Sequence, residues 1–107
     1  MPVSGRTLPV LLRSLSVFDE AFFAKEFAER VHRFSGEHAG LGVRVEIVAV
    51  EGEHLDVLEI DATDTGLRLV TRDDRLVFLP YANIVHLDVS LLRDHRIASF
   101  DLASMSA

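Results

Sequence analysis

The chain contains no cysteine. That absence removes disulfides, thiolate metal sites and a cysteine nucleophile together, and it fits a reducing compartment. Long apolar runs are also missing. The longest uncharged run near the start, Thr7 to Leu12, is too short for a signal-peptide core and far too short to span a bilayer. A cytoplasmic protein with no membrane partner is the expectation. A glycine-rich phosphate loop is lacking, because Gly36, Gly40 and Gly42 have neither the spacing nor the preceding strand. The serines sit in no nucleophile-elbow motif.

The titratable residues that are present form no reactive constellation. His32, His38, His54, His86 and His95 show none of the short spacings that gather zinc ligands. His86 reads as a half-exposed strand residue with Asp88 two positions on. Acid–base catalysis needs two carboxyl environments that drive the pKa values apart. Asp61 and Asp64 share one turn, Asp73 and Asp74 another, and turn chemistry accounts for all four. The expectation is a protein without catalytic, cofactor-binding or metal-ligating residues.

Basic charge is scarce in one part of the chain. Between Val43 and Asp88 ten acidic residues stand against Arg44, Arg68, Arg72 and Arg75, and this stretch carries the whole formal charge of −6. Binding to nucleic acid rests largely on Lys and Arg neutralising phosphates, so duplex DNA is excluded as a partner.

At 107 residues, 49% hydrophobic and 26% charged, the sequence fits one globular domain. Residues 1–16 read as an arm or an edge strand: Leu8, Val10 and Leu12 alternate, and Pro9 restricts a strand to an edge. Residues 17–34 read as a helix with Ser16 as N-cap and Asp19 in a partial capping box. Phe23, Phe27, Val31 and Phe34 share one face, Phe18 and Phe22 widen it, and Gly36 is the natural stop. This stripe is expected to cover one apolar end of a β unit formed by residues 43–88.

That β unit reads as five short strands. Val43 to Val50 alternates, and Glu51-Gly52-Glu53 is a hairpin signal. Leu55 to Ile60 is a second strand whose alternation slips at Val57-Leu58, the mark of a bulge or bend. Leu67 to Thr71 and Leu76 to Leu79 are the third and fourth, ended by Pro80. Tyr81 and Ala82 fit a single helical turn, and Ile84 to Val89 a fifth strand. So many short strands joined by tight turns predict a strongly bent antiparallel sheet closed into a small barrel. Residues 90–107 read as a C-terminal extension, with Ala98, Phe100 and Leu102 alternating as a last strand.

The segment Val77-Phe78-Leu79-Pro80-Tyr81-Ala82-Asn83-Ile84-Val85 resembles the second motif of the Sm-like (LSm/Hfq-like) family: an apolar strand, a one-turn link and an Ile-centred strand. Glu51-Gly52 falls where that family has an acidic-Gly hairpin, and Asp61 lies near its first-motif aspartate. The resemblance covers roughly residues 18–89 and implies a five-stranded barrel whose copies form a ring, the fourth strand of one pairing with the fifth of the next. The family's RNA-reading residues are replaced. Pro80, Tyr81 and Ala82 stand where Arg-Gly or Lys-His pairs would be, and Asp64 or Thr65 where a base-contacting Asn would be. Tyr81 and Asn83 are the remaining candidates for ligand or nucleic-acid contact, since Tyr stacks on bases and Asn reads their edges. The sequence thus supports a non-enzymatic Sm-like protein acting through homo-oligomerisation and binding. The alternatives are a ring binding single-stranded RNA through this link, and an accessory subunit of a larger complex.

Overall fold

The computed structural model describes residues 18–94 and 96–101. The expected arm at residues 1–16, the Ser16 cap and Leu102 lie outside them. The helical segment opens on Asp19, whose carboxylate accepts the Phe22 N–H at 2.9 Å, as a capping side chain does. A π-helical turn at Phe22–Glu26 leads into helix α1, Phe27–Gly36. Phe23 of the π turn and Phe27 and Val31 of α1 make the buried face of the helical segment. The helix ends at Gly36, the stop that was expected, with Glu37 as its C-cap. The left-handed residues lie later, at Ala39 (φ 61°) and Gly40 (φ 69°), and the Gly40 N–H bonds back to Ser35 O at 2.8 Å.

Five strands follow: β1 Val43–Ala49, β2 His54–Ala62, β3 Gly66–Thr71, β4 Leu76–Pro80 and β5 Ile84–Leu91. They form one antiparallel sheet in the order β4-β3-β2-β1-β5. A 3₁₀ turn, Tyr81–Asn83, carries the chain from β4 to β5, and Gly52, in the β1–β2 hairpin, takes the positive φ (88°) that favours glycine. Mostly β with one N-terminal helix is therefore the architecture. The sheet is open, however, and not the closed barrel expected. Among the described residues β4 and β5 each pair on one side only.

The bend expected at Val57-Leu58 is present. β2 gives its first half to β1, with Val45 opposite Val57, and its second half to β3, with Ile60 opposite Leu69. The register slips between Val57 and Glu59. A strand shared in this way lets the sheet fold over its own inner face. That face holds Val45, Ile47, Leu55, Val57, Ile60, Leu67 and Leu69, and Phe23, Phe27 and Val31 join the same core. Apolar side chains at alternate positions and their partners across the ladder make this core continuous.

Gly66 is needed for the close approach of β3 to β4. A Cβ there would stand 2.5 Å from Leu79 O and 2.9 Å from Pro80 Cα. The last strand expected around Ala98 and Phe100 does not form. Residues 96–101 run without ladder pairing, yet Phe100 is buried and packs edge-on against Phe27 at 5.9 Å. Among the described residues, no helix is long and apolar enough to cross a membrane.

Candidate functional site

The β4–β5 link carries Tyr81 and Asn83, and the structure places both within the subunit's own framework. The Tyr81 ring stacks on Phe23, with centroids 6.2 Å apart and planes 21° apart. Its hydroxyl donates to Thr63 O. Asn83 O accepts the Val50 N–H at 2.8 Å, which ties the link to the first hairpin. Burial, with help from the Glu20 and Asp19 carboxylates, pushes the Tyr81 phenol above its ordinary value. One ring face and the hydroxyl are thus committed to the fold, and the nearby charge is negative.

Several other titratable residues form ion pairs. His54 Nδ1 lies 3.3 Å from Glu46 and His86 Nε2 3.9 Å from Asp88. Asp61 meets Arg68 at 3.4 Å. At the β3–β4 turn the Thr71 hydroxyl, then Arg75, hold the Asp73 carboxyl below the ordinary carboxylate value. Arg75 also reaches Glu53 at 3.1 Å. Arg72 leaves that turn and binds Asp56 at 3.0 Å, where Arg44 also arrives at 3.0 Å. Among the described residues, Asp56 Oδ1 and Arg72 Nη2 are buried without a hydrogen-bond partner. No group of three or more His, Cys, Asp or Glu among the described residues is placed to hold a metal ion.

Exposed apolar side chains lie on both edge strands, and also at Val50 in the first hairpin and Ile97 beyond β5. On the β4 edge Phe78 is 70% exposed and Leu76 56%; on β5 Val85 is 59% exposed. Single exposed apolar residues are ordinary, but these sit on or beside strands whose outer backbone groups have no ladder partner among the described residues. Pro80, opposite Gly66, cannot donate to the ladder, so its nitrogen belongs on the outer side. By alternation the outward-facing backbone groups of β4 are those of Leu76 and Phe78. No family model, no curated protein and no solved structure matches the chain.

The inner face is open at the β5 end as well. An apolar groove of about 330 Å³ runs between α1 and β5, lined by Phe22, Phe27, Val31, Phe34, Leu87 and Val89. Arg30 completes its lining and is held at 2.8 Å by Glu26. The helix phenylalanine stripe was expected to cover the β unit, and part of it does. The rest, Phe22 and Phe34 with Leu87 and Val89, is only partly buried. Sequence pattern shows a wide apolar stripe but not how much of it the subunit's own strands reach.

Proposed function

We propose that the chain is a non-enzymatic Sm-like β domain that acts through self-association and binding, β4 of one copy pairing with β5 of the next. The observation that carries this reading is the open sheet with apolar side chains at both edges. The two strands that the Sm-like resemblance implies would meet between copies are these two edge strands. Open edges are a liability that association removes. A contact between two different edges is head-to-tail, and it gives a ring where the rotation closes.

The faces of the two edges also match. Across β3–β4, Leu76 and Phe78 stand opposite Val70 and Arg68 on the outer face, and Val77 opposite Leu69 on the inner. Across β1–β5, Leu87 and Val89 face inward opposite Ile47 and Val45. A continued sheet keeps these faces. Val77 of one copy would then extend the row of Leu87 and Val89 beside the groove, while Phe78 and Leu76 would lie with the outer residues of β5. Full burial of a side chain of this size contributes about 1.5–3 kcal/mol, and these, partly covered, contribute a share of that.

Light scattering on size-exclusion fractions tests this. The expected mass is a multiple of 11.9 kDa, with Phe78→Glu shifting it to a single copy while the circular dichroism spectrum stays unchanged. A wild-type chain that stays single at millimolar concentration would refute the reading and favour the edge of a different protein as the partner, as in an accessory subunit. The alternative of single-stranded RNA bound through Tyr81 and Asn83 has less support, because Asp19, Glu20 and Asp64 raise the negative potential at Tyr81 and phosphates add to it. Anisotropy with short U-rich and A-rich oligonucleotides at low salt is expected to show no binding. Micromolar binding lost in Tyr81→Ala would reverse that ranking.

A further inference from the structure

The β5 edge and the α1–β5 groove together make a seat for an extended strand. The Leu92 N–H bonds to Gly42 O at 2.8 Å. By alternation back along β5, Ser90, Asp88 and His86 turn their backbone groups toward β1, opposite Arg44, Glu46 and Val48. Leu87, Val89 and Leu91 turn theirs away, where no strand among the described residues meets them. The side chains of these three face the core and are only partly buried. Leu87 and Val89 line the groove of about 330 Å³. A strand added here would be hydrogen-bonded through every second residue, and those same residues would drop into the groove. The direction of the seat follows from the helical segment. Tyr81, just before β5, stacks on Phe23 near that segment's start. Gly42, beyond its end, meets Leu92 just after β5. The helical segment thus runs alongside β5 in the same sense, and a chain leading back from Phe18 along the groove is antiparallel to β5.

We propose that residues 8–12 of this chain occupy the seat as an added strand, with Leu12 opposite Leu87, Val10 opposite Val89 and Leu8 opposite Leu91. Position, pattern and charge select this occupant. Residues 1–17 precede the described chain, which begins at the groove: Phe18 packs edge-on at 5.6 Å against Phe22, a lining residue. Residues 13–17 supply a connection of up to roughly 17 Å. Leu8, Val10 and Leu12 alternate as the seat requires. The same parity turns the Pro9 nitrogen away from β5, the side on which a strand tolerates proline. Every Asp and Glu of the chain lies at or beyond Asp19, whereas residues 1–17 hold only Arg6 and Arg13. In this register Arg13 falls on the outer face opposite His86 and diagonal to Asp88, which is 57% exposed and within reach of a long side chain. β4 of a second copy would use the same backbone groups of β5, so arm and copy exclude one another, and the arm sets how readily copies associate. That last consequence rests on the self-association reading; the seat itself does not.

Cross-linking tests the seat, in a chain with no cysteine of its own. Opposed hydrogen-bonded residues stand about 5.5 Å apart at Cα, within disulfide range. The full chain carries Phe78→Glu, so that the β4 edge of a second copy does not compete. In it, Val10→Cys with Val89→Cys should close an intramolecular disulfide under mild oxidation about tenfold faster than Leu11→Cys with Val89→Cys, because residue 11 points to the opposite face. Equal rates, or bridges between copies only, would overturn the proposal. Because Val89→Cys could itself disturb the core, amide exchange in the Phe78→Glu chain gives an independent reading. The Leu87 and Val89 N–H groups should exchange about tenfold more slowly than in the same chain carrying Val10→Asp, and unchanged exchange would overturn the proposal. With Phe78 restored, Val10→Asp should lower the midpoint concentration of association about tenfold. An unmoved midpoint would overturn the competition. A chain that closes the residue 10–89 bridge yet never associates would refute self-association and keep the seat.

Discussion

Replacing Gly66 with alanine tests the β3–β4 geometry that sets the position of Phe78. The added methyl would stand 2.5 Å from Leu79 O, 2.9 Å from Pro80 Cα and 3.0 Å from Leu79 C. All three are backbone atoms, so no flexible side-chain end can swing aside. Ordinary carbon contacts lie at about 3.5 Å or more, and β4 must therefore retreat by about 1 Å. A ladder bond stretched by that much passes from about 2.9 Å to beyond hydrogen-bonding distance. Overpacking of this kind costs about 1–3 kcal/mol, and each ladder bond lost adds about 1 kcal/mol. An overall loss of about 2–4 kcal/mol corresponds to a fall in Tm of roughly 10–25 °C for a domain of this size. Gly36→Ala is the internal control, since nothing lies within 4 Å of a Cβ there. It sits in the last turn of α1, and alanine should stabilise by up to about 1 kcal/mol. Thermal unfolding followed by circular dichroism reads both variants. If Gly66→Ala melts with the wild type, the close approach is not maintained in solution and the argument for β4 as a fixed edge fails.

Three further outcomes are expected. Tyr81→Phe keeps the stack on Phe23 but loses the bond to Thr63 O, costing about 0.5–1.5 kcal/mol in chemical denaturation. No loss would mean that the hydroxyl is satisfied equally well by water. In the wild type, burial and the Glu20 and Asp19 carboxylates raise the Tyr81 phenol above 10.0. The unfolded chain then ionises first, so this group's contribution falls as pH rises past 10.0, and a phenol titrating at or below that value would contradict it. The Asp73 carboxyl is held below 3.8 by the Thr71 hydroxyl and then Arg75. Its contribution is present above 3.8 and disappears as pH falls through the lower folded value. Thr71→Val should move the Asp73 titration upward in a carboxyl-detected NMR series, and an unchanged midpoint would assign the shift to Arg75 alone.

The local elements were legible because each rests on near-neighbour chemistry. Val43, Val45 and Ile47 alternate and form β1, and Pro80 does end β4 before a single 3₁₀ turn. The slip at Val57-Leu58 was readable because a bulge disturbs the period-2 pattern on its own strand. Gly66 follows the Asp61–Asp64 turn in the sequence, yet its role is a backbone contact with a strand ten and more residues away. Arg72 borders the Asp73-Asp74 turn in the sequence, and its partners are Asp56 and Ala98, 16 and 26 residues distant. Nothing in the spacing of charges selects such pairs. Of the candidate site, the sequence marked Tyr81 and Asn83 but not the hydroxyl bond to Thr63 or the stack on Phe23 that commit Tyr81 to the fold.

The barrel expectation failed for a reason that bears on function. Short strands and tight turns require an apolar face to be covered, and closure of β4 on β5 is one way to do it. This chain covers much of its inner face by other means. The register slip in β2 passes the strand from β1 to β3, the phenylalanines of the helical segment join the core, and Phe100 fills the far end against Phe27. With the core so occupied, hydrogen bonding between β4 and β5 of one copy is unnecessary for folding. Both edges keep their outer backbone groups and apolar side chains, Phe78 and Leu76 on one and Val85 on the other. Pairing information that folding does not use remains available for association. A chain that had closed its own barrel would have had none to offer a second copy.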